Sequence, residues 1–173
     1  MAGSFDEAFE KEFPGLHRYL RRRVGSATAD DLAAETFSVA YRNWDRLDRE
    51  RPVRPWLYGI AANVLRHHWR SERRMLRAYA RSGIDPVLDD VDAAVARADA
   101  DALERDLAAA LAALRPSERE ILLLHAWADL TDGEIAAALD MPIGTVKSRL
   151  NRTRGRLRNR LDPVGQVAVT EQR

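Results

Sequence analysis

Apolar residues return along this chain every three or four positions, and no run alternates as a strand would. That spacing is the signature of one buried face on an α-helix. Leu32, Ala33, Thr36, Phe37, Ala40, Tyr41 and Trp44 trace one stripe, leaving Asp30, Asp31, Ala34, Glu35, Ser38, Arg42 and Asp45 on the opposite side. Trp56, Leu57, Ile60, Ala61, Val64 and Leu65 trace a second, on a helix that Pro55 can open and that runs to about Arg81. Ile143, Val146, Leu150, Leu157 and Leu161 trace a third. The fold expected is all-α. Trp44, Trp56 and Trp127 read as core, while Trp69 falls on the boundary between an apolar and a polar face.

Helix starts are marked by a hydroxyl side chain followed three residues later by an acid, because each can cap the other's backbone N–H. Ser4 with Glu7, Thr28 with Asp31, Ser117 with Glu120 and Thr131 with Glu134 all fit that pattern. Pro14 and Gly15 predict a break inside the first helix, and "GSATADD" predicts another. "DRLDRERPVR" reads as a charged loop and "ALERDLAAALAAL" as helix. Between them "SGIDPVLDDVDAAVARADAD" carries aspartates, Gly and Pro with little bulk to bury, as a linker does. The division expected is two small helical domains, 1–82 and 102–162, joined by an acidic linker at 83–101 and followed by a tail at 163–173.

Composition narrows the function. The 173 residues include no cysteine, which removes disulfides, thiolate metal sites and cysteine nucleophiles from consideration. The first residues are polar and acidic, unlike a signal peptide, and no apolar run approaches a membrane span, so the expected location is cytoplasmic. The formal net charge of +1 hides a partition: residues 1–84 carry +5, residues 85–140 carry −10 and residues 141–173 carry +6. Two basic regions flanking an acidic one offer two places to meet phosphate.

The last of these is the most specific. A short capped helix with Ile135, Ala136 and Leu139 facing inward leads through "DMPIG" into "TVKSRLNRTRGRLRNRL". Short helix, abrupt turn and cationic second helix form a helix-turn-helix, whose second helix enters the major groove. At about 100° per residue, Thr145, Ser148, Asn151 and Arg152 point away from Val146 and Leu150, with Lys147 and Arg149 beside them. Hydrogen-bonding groups near the helix start reach base edges while flanking cations meet phosphates. Arg154, Arg156, Arg158 and Arg160 lie further along and are expected to add salt-sensitive, sequence-independent affinity.

"LRPSEREILLLHAWADLTDGEIAAALDMPIGTVKSRLNRTRGRLR" closely resembles region 4 of bacterial sigma factors of the extracytoplasmic-function group. "DDLAAETFSVAYRNW" followed by "RPWLYGIAANVLRHHWRSERR" resembles region 2 of the same group, in the expected order. The resemblance implies that Thr145, Lys147, Ser148, Arg149 and Arg152 contact the minus-35 promoter element, and Asn151 joins them by its outward position. It implies that Asp31, Glu35, Ser38 and Arg42 dock on a coiled coil of the largest polymerase subunit; Ala34 stands where the family often has glutamine. The second helix suits an opened minus-10 strand, since cations along a backbone and π-faces for splayed bases are what single strands require. Asn63, Arg66, His67, Arg70, Arg73 and Arg74 are the residues expected there. The loop from Asp48 to Arg54 resembles the one that cups an extruded minus-10 base, with Asn63 at its border. The partners so implied are core RNA polymerase, promoter DNA and an anti-sigma factor of the kind common in the family.

Enzymatic readings find little. His67 and His68 are adjacent and diverge on a helix, His17 and His125 have no partnered ligands, and Asp30/Asp31 and Asp89/Asp90 suit a helix start and an acidic linker. No metal, cofactor or catalytic residue is expected. The competing class is a stand-alone helix-turn-helix regulator that binds duplex DNA without polymerase.

Overall fold

The computed structural model describes residues 4–48, 50–81 and 102–161. The described residues form seven α-helices: α1 (Phe5–Val24), α2 (Ser26–Arg42), α3 (Val53–Arg81), α4 (Ala102–Ala112), α5 (Pro116–Trp127), α6 (Asp132–Ala138) and α7 (Ile143–Leu161). A 3₁₀ turn at Trp44–Arg46 follows α2. The linker expected at 83–101 and the tail expected at 163–173 lie outside the described residues.

Helices α1 to α3 pack as one bundle, and α7 packs on α4, α5 and α6 as a second. Leu16, Tyr19 and Leu20 of α1, Leu32, Ala33, Phe37 and Ala40 of α2, and Leu57, Ala61, Val64 and Leu65 of α3 are the buried side chains that close the first bundle. Phe9 meets Phe37 edge-on at 4.7 Å, and Phe5 meets Trp44 at 5.4 Å, a geometry that aromatic quadrupoles favour. Ile121, Leu124, Leu130, Ile135 and Val146 close the second bundle. The bundles also meet each other, through α3 against α6.

Two of the expected capping boxes form: Ser4 with Glu7 opens α1 and Thr131 with Glu134 opens α6. Two do not. Thr28 and Asp31 sit inside α2, because Gly25 takes φ 77° and turns the chain so sharply that α2 begins at Ser26. That positive φ is one an L side chain resists. Ser117 is likewise already inside α5, whose first position is Pro116 and whose cap residue is Arg115; Glu120 turns elsewhere. The break expected at Pro14 and Gly15 is absent as well, since α1 runs straight through Pro14. Losing one helix bond to an interior proline costs about 3 kcal/mol. Burying Leu16, Tyr19 and Leu20 on the same helix returns about 1.5–3 kcal/mol for each large side chain, so continuity wins.

The stripes also need correction. Tyr41, expected in the core, is 67% exposed and touches Phe5 only edge-on. Ile143 is 48% exposed, lying over Gly133 at the start of the turn into α7. Thr153 takes a fully buried place on α7 between Leu150 and the half-buried Leu157. Trp56 and Trp127 are half-buried at the edges of the core rather than inside it.

Candidate nucleic-acid and partner interface

Helix α7 is presented by a short series of local devices. Thr131 Oγ1 accepts from the Glu134 N–H at 3.3 Å, and Glu134 Oε2 accepts from the Thr131 N–H at 2.8 Å, so α6 starts with satisfied donors. After α6 the chain reverses through Asp140 at φ 49°, and the Met141 N–H donates back to Ala136 O at 3.0 Å. The N–H groups of Thr145 and Val146 then donate to Pro142 O at 2.9 and 3.2 Å, starting α7 within two residues. Burial of Val146, Leu150 and Thr153 fixes the rotation of α7 about its axis.

With that rotation set, Lys147, Ser148, Asn151 and Arg152 are exposed, and Thr145 and Arg149 half-exposed, on one continuous side. Ser148 Oγ donates to Thr145 O at 3.1 Å, leaving its lone pairs outward. Arg154, Arg158 and Arg160 are exposed beyond them. Arg156 differs from the expectation of a simple phosphate contact. Its Nη1 donates to Glu118 Oε2 at 2.9 Å, tying α7 to a carboxylate that is 5% exposed on α5.

On the first bundle, Asn63, Arg66, His67, Arg70, Arg73 and Arg74 are all exposed along α3. Arg73 Nε donates to Trp69 O at 3.2 Å, and His68 Nε2 stands 3.4 Å from Glu72. On α2, Asp31, Glu35, Ser38 and Arg42 are exposed as expected, with Arg42 Nη1 donating to Ser38 Oγ at 2.9 Å. The two faces meet in a groove of about 200 Å³ lined by Glu35, Val39, Ile60, Asn63, Val64 and His67. Glu35 of one expected surface thus borders the same hollow as Asn63 and His67 of the other.

The loop at 48–54 is smaller than its sequence suggests. Val53 and Arg54 already belong to α3. Arg54 is withdrawn from it: Nη2 donates to Ala128 O at 2.6 Å, and Nε lies 3.8 Å from Glu12, an ion pair too long for a hydrogen bond. Arg51 remains exposed, 3.4 Å from Asp48.

Glu120, expected only as the capping partner of Ser117, and three residues that the sequence did not single out hold the two bundles together. Arg23, Tyr19 and Glu120 form a closed triangle of hydrogen bonds, and Gly59 of α3 lies against the backbone of Ala138. Burial raises the Tyr19 phenol well above its ordinary pKa, so it stays a donor toward the carboxylate. Arg23 was detectable: it continues the Leu16, Tyr19, Leu20 stripe at helical spacing, on the buried side of α1. His17 does have a carboxylate neighbour, Asp30 at 2.6 Å. Among the described residues no group of three or more His, Asp or Glu could hold a metal, and no helix is long and apolar enough to cross a membrane.

A braced helix-turn-helix joined to a second, cation-faced helical bundle defines a DNA-reading protein of two modules. The family profile described as sigma-70 region 2 matches residues 8–75, and that described as sigma-70, region 4 matches residues 104–157. The chain is 31% identical to the RNA polymerase sigma-E factor of Streptomyces coelicolor, over 91% of this chain and 85% of that one. It is 30% identical to the ECF RNA polymerase sigma factor SigW of Bacillus subtilis, over 84% and 82%. A solved structure, the sigma factor RpoE in complex with the anti-sigma factor NepR from Bartonella quintana, superposes with a TM-score of 0.63 at 25% identity, covering 91% of this chain and 96% of that one. The chain belongs to the sigma-70 family, in its extracytoplasmic-function group. It is an RNA polymerase sigma factor for transcription initiation, a non-enzymatic factor of a kind that binds core polymerase and promoters.

Proposed function

We propose that the first domain, residues 1–82, docks on core polymerase and holds the opened minus-10 strand, and that the second, residues 102–162, reads the minus-35 duplex. Asp31, Glu35, Ser38 and Arg42 form the polymerase face. Asn63, Arg66, His67, Arg70, Arg73 and Arg74 take the single strand. Thr145, Lys147, Ser148, Arg149, Asn151 and Arg152 enter the major groove. The protein acts in the cytoplasm and is controlled by an anti-sigma factor, as the Bartonella quintana relative is bound by one.

The observation that carries this reading is the exposure of Lys147, Ser148, Asn151 and Arg152 on a helix whose opposite side, Val146 and Leu150, is buried. A solvated surface helix needs no such bracing from α5 and α6. Side chains that must meet base edges within a few tenths of an ångström do need it. The groove shared by Glu35, Asn63 and His67 favours coupling between polymerase docking and strand capture.

The test is transcription in vitro from a genomic promoter library, with purified core enzyme and the full chain. Specific start sites, lost when Arg152 is replaced by Ala, are the expected result. Specific duplex binding without any association with core would overturn the reading.

A further inference from the structure

We propose that Asn151 reads an adenine of the minus-35 element by a two-bond contact to its major-groove edge, at the base pair beside the one that Arg152 meets. The proposal rests on the reading of α7 as the helix that enters that duplex.

Asparagine is a weak helix former because its amide competes for nearby backbone groups. Asn43, just past the end of α2, shows that competition: its Nδ2 donates to Val39 O at 2.8 Å. Asn151 sits inside α7, is exposed, and among the described residues no hydrogen bond engages its amide. Neither packing nor local bonding accounts for an amide at this place. Both its oxygen and its nitrogen are available to another molecule.

The line of α7 opposite the buried Val146, Leu150 and Thr153 runs through Gly144, Ser148, Asn151 and Gly155. A Cβ added at Gly144 or Gly155 would meet nothing within 4 Å, so internal packing calls for glycine at neither position. Glycine is otherwise unfavourable inside a helix. What the small residues change is how near another molecule can come. Region 4 binds DNA, and bare backbone on either side of Asn151 lets α7 lie deep in the groove. Depth matters most for asparagine, whose amide hangs a single methylene from the backbone, whereas the Arg152 guanidinium sits on a long stem.

An amide offers a donor and an acceptor side by side in one plane. In the major groove only adenine presents the matching edge, with N7 accepting and the N6 amino group donating. Guanine presents two acceptors, which would set its O6 against Asn151 Oδ1 and which suit an arginine instead. Thymine offers an acceptor beside a methyl group, and cytosine only a donor. Around Asn151, Lys147, Arg149 and Arg152 can only donate, while Thr145 and Ser148 carry freely rotating hydroxyls. Asn151 and Arg152 diverge by about 100° on the helix, so they reach neighbouring base pairs rather than the same one.

The experiment selects bound duplexes from a promoter library randomised across the minus-35 element, using the full chain assembled with core polymerase. The natural chain is compared with Asn151→Ala and Asn151→Asp, both at an exposed position, and circular dichroism checks that helicity is kept. The natural holoenzyme should prefer adenine at one position by about 5- to 150-fold over the other bases. Asn151→Ala should lose that preference and keep those at the neighbouring positions. Asn151→Asp should move it to cytosine, whose N4 amino group donates to a carboxylate, against a lower affinity for all sequences. Placing 7-deazaadenine at the same position removes N7 alone; it should weaken binding by the natural chain and leave Asn151→Ala unaffected. Equal preferences in the natural and Asn151→Ala chains, or indifference of the natural chain to 7-deazaadenine, would overturn the proposal. A natural holoenzyme with no preference anywhere across the minus-35 stretch would overturn the promoter reading as well.

Discussion

Glu118 of α5 receives Arg156 of α7 at 2.9 Å, with the carboxylate buried and the guanidinium about half exposed. The pair fixes α7 about one turn beyond Arg152, where the buried stripe thins from Leu150 to the half-buried Leu157. Replacing Arg156 by Ala leaves an acid in an apolar setting, at a cost of roughly 1–3 kcal/mol. Adding Glu118→Gln to that variant should restore part of the loss. Denaturant unfolding of the four chains of the cycle gives the coupling, and strict additivity would show that the pair is incidental.

Arg152→Ala should weaken binding to a minus-35 duplex, with about 1–3 kcal/mol of discrimination lost if a bidentate base contact disappears. Lys147→Ala, Arg149→Ala and Arg158→Ala should act differently. They should lower affinity for all sequences alike and reduce the salt dependence by about one ion each. Binding isotherms across salt concentrations separate the two classes. Equal behaviour of all four variants would reject the division into base-reading and phosphate-binding side chains.

Glu35→Ala together with Arg42→Ala should reduce affinity for core polymerase while leaving minus-35 duplex binding by the full chain unchanged. Both residues are exposed on α2, and the Arg42–Ser38 bond is local, so the fold is not at stake. Competition for core against the natural chain measures the effect. Undiminished competition would place polymerase docking elsewhere.

Thr131→Ala removes one side of the capping box of a helix only seven residues long. The expected cost is about 1 kcal/mol, appearing as faster amide exchange in α6 and weaker minus-35 binding. Unchanged exchange would mean that packing of Ile135 alone holds α6.

Burial raises both the Tyr19 and the Tyr58 phenols above the ordinary tyrosine value. The folded chain thus keeps protons that the unfolded chain gives up first, and stability falls with rising pH only above the unfolded tyrosine pKa of about 10. Unfolding free energy should carry no tyrosine-dependent slope from pH 7 to 9 and should decline beyond pH 10. Tyr19→Phe should make that decline shallower. An identical alkaline slope in Tyr19→Phe would assign it to other groups.

The parts of this architecture governed by local periodicity could be read from the chain itself. The stripes on α2 and α3, the capping boxes at Ser4 and Thr131, and the outward set on α7 follow from spacing within one helix. What escaped depends on the neighbouring domain or on competition between local preferences. Ser117 and Glu120 have the spacing of a capping pair, but a buried Arg23 from a distant helix takes Glu120 away. Pro14 and Gly15 look like a break until burial of Leu16, Tyr19 and Leu20 outweighs one lost bond. Tyr41 sits on the right stripe but one residue before α2 ends, beyond the cover of its neighbours. Arg54 reads as a loop cation because nothing near it in the chain announces Ala128.

Arg54 also bears on how reversible the seam between the domains is. It reaches across to a neutral carbonyl at Ala128 while keeping an acid of its own bundle, Glu12, within 3.8 Å. When the halves part, this guanidinium is not stranded: its counter-ion travels with it, and only an uncharged acceptor is surrendered to water. Separation at that point leaves no isolated charge in need of rescue.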